Sequence, residues 1–305
     1  MRRRRRCGNA MDPKQIQKQR VTFAPQPLPR RRPRALSCPL PLSPKSRLPW
    51  NLFHKSAPQQ RTSDQSQSAL ARLPWEIRHQ IWSYVLGGRL LHIVRGHKTL
   101  LVIECLEDFG PDLETRQHGC WGWSCGPPFD WLGFYMQPQD GHPARPANLL
   151  PLLQTCRVIY TEAVAVLYES NIFDFNHLDS LLYFRQSVLP QRLNQIRRLN
   201  LSWDIQWSLS SACAFPSHDL PTWYKVCDVL ASFHGLQELR VHLTSQSDLP
   251  AGEHGKPSWK PLLDALQPIK WPTTSVVYLP SLEDQCAEAA QDSGYQFTLL
   301  PGERE

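Results

Sequence analysis

The residues whose types and spacing come nearest to chemistry lie in HGCWGWSC, where His118, Cys120 and Cys125 fall within eight positions. Imidazole and thiolate are the ligands that zinc takes, and a structural site needs four of them, normally as two closely spaced pairs. Only one pair is visible, with four residues between its cysteines, so a site would need Cys105 or His142 from the flanks. The better reading of the segment is a Trp-rich loop packed by its own aromatics, Trp121, Trp123, Phe129, Trp131, Phe134 and Tyr135, which could equally serve as a contact surface. No metal and no cofactor is therefore assigned. Other chemistries lack their residues: neither GxxxxGK[ST] nor GxGxxG occurs to cradle a phosphate, and GxSxG, HExxH and the kinase signatures are missing. The chain reads as non-catalytic. A hidden enzyme would need scattered Ser, His and Asp residues to converge in one pocket.

Whatever the loops do, helices and strands must hold them. The organising stretch is Asn148 to Phe175, where Leu149, Leu152, Leu153, Cys156, Ile159, Tyr160, Ala163, Val166 and Leu167 recur at steps of three and four. That spacing predicts one long central helix, capped by Asn148 with Pro151 in its first turn. Ile172, Phe173 and Phe175 follow as a short strand. Upstream, ARLPWEIRHQIWSYVLGG predicts a helix that starts at Pro74 and stops at Gly87, with Ile77, Ile81, Tyr84 and Val85 on one face. Such a face is expected to pack inward, leaving Pro74 and Trp75 at the rim. RLLHIVR (89–95) and TLLVIEC (99–105) predict a β-hairpin, and 107–147, rich in Gly, Pro and Trp, a long excursion. A helix at 177–189 comes next.

Beyond it the period changes from helical to alternating. Leu199, Leu201 and Trp203, and again Leu239, Val241 and Leu243, sit at alternate positions and predict strands. A helix at 220–233 separates them. Helix 258–266, strand 275–279, helix 281–291 and strand 295–299 continue the alternation, which calls for a mainly parallel sheet. Ile196, Leu199 and Leu201 return forty residues later as Leu236, Leu239 and Val241 in an LxxLxL pattern.

The net charge of +7 is unevenly placed. Residues 1–70 hold 16 Lys/Arg against 2 Asp/Glu, whereas the remainder holds 18 against 25. Residues 1–69, with Arg2, Arg3, Arg4, Arg5, Arg6, Arg30, Arg31, Arg32 and Arg34 among many prolines, read as a disordered tail able to address the protein to the nucleus. Contact with nucleic acid is open only through this tail. No apolar run reaches the roughly 20 residues of a membrane span, and nine scattered cysteines fit reduced thiols. Membrane contact is therefore not expected, and the protein reads as intracellular, nuclear or cytoplasmic.

LPWEIRHQIWSYVLG, then LLQTCRVIYTEAVAVLYESNIFDF and RLNQIRRLNLSW, resemble a large family of fungal proteins described only as containing a domain of unknown function. Its start is similar to the F-box, whose Leu-Pro and spaced Ile residues correspond to Leu73, Pro74, Ile77 and Ile81, with Trp75 beside them. The resemblance implies a protein-binding module, its partner unidentified, with a ubiquitin-ligase adaptor as the F-box-like candidate. The expected fold is α+β: an F-box-like helix and β-hairpin packed on a long central helix (70–190), followed by strand/helix units resembling a short leucine-rich-repeat-like arc (191–305), in a single globular domain 70–305.

Overall fold

The computed structural model describes residues 24–29, 65, 67–95, 98–105, 147–204, 220–244, 259–270, 272–279 and 294–301. Their fold is mixed α+β, with seven helices and a seven-stranded, mostly parallel sheet among the described residues. They divide into two compact units, a helical one (29–88 with 148–170) and a sheet-based one (89–147 and 171–305, with residues up to 28). The Trp-rich excursion expected at 107–147, apart from Ala147, and the helix expected at 281–291 lie outside the described residues.

In the helical unit, α1 (Trp75–Leu86) begins after Pro74, whose ring cannot donate a hydrogen bond and whose carbonyl accepts from the Arg78 N–H. Glu76 lies in its first turn, favourable to the helix dipole. The helix stops where Gly88 takes φ +70°, a conformation open to glycine without a Cβ penalty. The long central helix is in fact two: α2 (Leu150–Leu153) and α3 (Arg157–Glu169). Local hydrogen bonds end the first. The Gln154 N–H turns back to Leu150 and Pro151, the Thr155 hydroxyl donates to the Leu152 carbonyl at 2.7 Å, and Cys156 is extended at φ −155°, ψ 166°. Apolar periodicity runs straight through this break because Leu153, Ala163, Val166 and Leu167 are buried on both sides of it.

The sheet-based unit contains β1 (Leu90–Arg95), β2 (Leu100–Glu104), β3 (Ile172–Phe175), helix α4 (Leu178–Ser187), the single turn α5 (Pro190–Leu193), β4 (Arg198–Asp204), α6 (Leu220–Ala231), β5 (Glu238–Thr244), α7 (Lys260–Asp264), β6 (Thr274–Leu279) and β7 (Thr298–Pro301). Strand order is β2-β1-β3-β4-β5-β6-β7, and only the β1/β2 hairpin is antiparallel. The expected alternation of strands and helices is thus realised as parallel pairing from β1 through β7.

Because in-register residues of neighbouring strands share a face, Phe173, Leu199, Leu239 and Ser275 line one side, as do Phe175, Leu201, Val241 and Val277. Helices pack on that side. Phe184 of α4 meets Phe173 and Phe175 with ring centroids 5.7 and 5.3 Å away. Trp223 of α6 stacks on Trp203 at 5.0 Å and donates its indole N–H to the Leu262 carbonyl of α7. The opposite side carries His92, Asp174, Asn200, Ser202 and His242, all buried.

The forty-residue echo has a direct structural meaning, since Leu199 pairs with Leu239 and Leu201 with Val241. Just before these strands the chain segments touch closely. A Cβ on Gly235 would lie 1.8 Å from the Asn194 carbonyl oxygen, and the Gly235 carbonyl accepts from Arg197 at 2.9 Å. Gly235→Ala should therefore destabilise the protein by roughly 1 to 3 kcal/mol or more in denaturant melts. Gly294→Ala, with open space around the added carbon, should be close to neutral.

Candidate functional site

Helix α1 presents two stripes one residue, or about 100°, apart. Arg78, Trp82 and Leu86 form the first, and Trp82 and Leu86 are buried. The Glu162 carboxylate of α3 fixes this stripe: it accepts from Arg78 Nε at 2.9 Å and Nη2 at 2.6 Å, and from Trp82 Nε1 at 3.2 Å. A forked, charge-assisted pair of this kind sets orientation as well as distance. Hydrogen bonding to Arg78 holds the Glu162 carboxyl below the usual range, against the opposing effect of burial and with help from Trp82. The Arg78 guanidinium also donates to the Leu73 carbonyl, which pins the chain leading into the helix.

The second stripe is Ile77, Ile81, Tyr84 and Val85, the face expected to pack inward. It does not. Tyr84 is 88% exposed, Ile77 42% and Val85 37%, with Ile81 half-buried. The interior of α1 is instead lined by Trp82 and Leu86, because the polar anchor Arg78–Glu162 turns the helix by one residue. Trp75, 55% exposed, lies in line with the first stripe, seven residues before Trp82, at the N-terminal end of the helix, and stacks on His79 at 5.0 Å. Leu73 is half-buried and Pro74 exposed.

A buried group of titratable side chains lies in the sheet-based unit. His92 on β1 and Asp174 on β3 are register partners, and His92 Nδ1 lies 2.6 Å from Asp174 Oδ2. Cys105, which continues the β2 ladder through its N–H to the Leu90 carbonyl, hydrogen-bonds the same imidazole through its side chain. Burial, the largest single influence, favours the neutral ring, but hydrogen bonds to Asp174 and Cys105 and attraction to their charges outweigh it and raise the His92 pKa to about 9. The side chains of His92 and Asp174 are 1% and 3% exposed. In this structure the group is a buried tie between β1 and β3, closed to any substrate. Sequence reasoning passed over it, although a lone His in LLHIV and a lone Asp in IFDF are the signal by which a paired polar row inside a sheet announces itself.

The family described as Domain of unknown function (DUF7730) matches residues 63–299. The chain belongs to this family. No curated protein and no solved structure matches it. The DUF7730 match begins before α1 and ends within β7, so both stripes of α1 and the His92–Asp174 tie lie inside it.

Of the residues singled out in the sequence, Leu73, Pro74, Trp75, Ile77 and Ile81 come together at the start of α1. His118, Cys120, Cys125 and His142 lie outside the described residues, as do Arg2 to Arg6 and the arginines at 30, 31, 32 and 34. Among the described residues no group of three His, Cys, Asp or Glu side chains is arranged to hold a metal, and no helix is long and apolar enough to cross a membrane.

The raised His92 pKa carries a definite pH dependence. Its contribution to stability is fully present below the unfolded value of 6.5 and is lost as pH rises through about 9. Thermal melts should therefore decline across that window. In Asp174→Asn the neutral amide no longer holds the proton on His92, and the decline should flatten from a lower starting point. Glu162 acts at the other end: its contribution is present above the ordinary Glu value and fades as pH falls through the depressed one.

Proposed function

We propose that this protein is a non-catalytic protein-protein interaction scaffold of the F-box-like type, with α1 as its docking helix. The observation that carries the reading is the open apolar stripe of Ile77, Ile81, Tyr84 and Val85 on a helix whose other stripe is anchored to α3, with Trp75 also exposed at its first turn. Grooves that accept a helix read anchors spaced at i, i+4 and i+7, the spacing of Ile77, Ile81 and Tyr84. Large apolar side chains left together in water are costly unless a partner covers them. The F-box likeness names Leu73, Pro74, Ile77 and Ile81, of which Ile77 and Ile81 lie on this stripe, and a ubiquitin-ligase adaptor is the partner it implies.

The sheet-based unit supports the second half of the reading, a short leucine-rich-repeat-like arc. Its β4 and β5 carry the same apolar triplet in register, and Phe184 and Trp223 place α4 and α6 against one side of the sheet. In this arrangement the arc presents a partner or substrate protein while α1 holds the adaptor.

The test separates binding from folding. Ile77→Glu and Tyr84→Glu in the full chain should melt within about 0.5 kcal/mol of the wild type, as exposed positions do, and should lose retention of the adaptor that F-box proteins recruit. Trp82→Ala should instead cost roughly 3 to 5 kcal/mol of stability through the cavity it leaves. Adaptor retention unchanged in both glutamate variants, or absent from the wild type, would falsify the F-box-like reading.

A further inference from the structure

Residues 24–29 read Ala-Pro-Gln-Pro-Leu-Pro and lie within the proline- and arginine-rich tail. Prolines at 25, 27 and 29 fix φ at every second position, and each residue between them is pushed towards extended backbone because a proline follows it. The segment is therefore extended before it meets anything, and little chain entropy remains to be lost on docking. Pro25 is buried and Ala24 and Leu28 are half-buried, while Gln26, Pro27 and Pro29 are exposed.

The surface it meets is the C-terminal end of α4. The Leu28 N–H donates to the Gln186 carbonyl at 2.9 Å, and the Ser187 hydroxyl donates to the Gln26 carbonyl at 3.5 Å. Gln186 is a position where the chain itself leaves a carbonyl without its helical donor. The residue four positions on is Pro190, which has no N–H, and the backbone at Val188 is already extended. Between Pro25 and Pro29 only Gln26 and Leu28 retain an N–H, and one of these two is directed at that carbonyl.

We infer that the C-terminal turn of α4 is a docking site for an extended proline-rich segment, and that residues 24–29 of the same chain are its occupant. The attachment is independent of the α1 stripe. Arg30 follows the docked segment directly in the sequence, so a tryptic site adjoins it.

Hydrogen exchange on the full chain tests this. The Leu28 amide should exchange several-fold more slowly than in a free peptide of residues 20–32. Pro25→Ser, which keeps that amide but removes the buried ring, should erase the protection and speed tryptic cleavage after Arg30, with the melting temperature unchanged. Leu28 exchanging at the free-peptide rate in the wild type, or Pro25→Ser leaving exchange and cleavage as they were, would overturn the proposal. So would protection that grows with protein concentration together with dimer formation, since the occupant would then be a second copy.

Discussion

The carboxylate of Glu162 decides which side of α1 the protein shows to its surroundings. Three hydrogen bonds, two from Arg78 and one from Trp82, converge on its two oxygens. A helix with apolar residues on neighbouring stripes has two ways to pack, related by a rotation of about 100°. On hydrophobicity alone Ile77, Ile81 and Val85 compete well with Trp82 and Leu86. The forked Arg78–Glu162 pair breaks this near-tie, because turning the other stripe inward would part the guanidinium from its acceptor and leave the charges to be resolvated separately. Packing energy sets that α1 is held; a polar contact sets its orientation.

This is also where reading the sequence stopped short. The periodicity of 74–87 gave the helix and its end near Gly87, and the alternation after Pro190 gave parallel strands. Leu199 and Leu239 were recognisable as equivalent positions and are in fact paired. What periodicity cannot supply is a choice between two apolar stripes when the deciding partner, Glu162, lies more than eighty residues away. Nor can it see the break at Gln154–Cys156, where a threonine hydroxyl and extended backbone interrupt a helix whose apolar pattern continues unbroken. The His92–Asp174 pair escaped for the same reason: each residue alone is an anomaly in an apolar strand, and only the β1/β3 register joins them.

The two units apply one principle differently. In the sheet-based unit the apolar side of β3, β4 and β5 is covered by α4 and α6, and close approach is carried to the point where Gly235 leaves no room for a Cβ. On the other side His92 pairs with Asp174, and His242 stacks on Tyr278 at 4.3 Å. In the helical unit the buried stripe of α1 is equally well held, yet the neighbouring stripe carries Tyr84 and Ile77 into solvent. The scaffold role proposed above would require both a rigid support and apolar surface that the support does not use.

The orientation of α1 is open to direct measurement by hydroxyl-radical footprinting of the full chain, read residue by residue by mass spectrometry. Trp75 and Tyr84 should oxidise at rates near those of the unfolded chain, while Trp82, 2% exposed, should be protected. In Glu162→Ala the contrast between Tyr84 and Trp82 should shrink as the helix loses its anchor. Protection of Tyr84 together with rapid oxidation of Trp82 in the monomeric wild type would contradict the account, since the apolar stripe assigned to a partner would then be the one that holds the helix to its own unit.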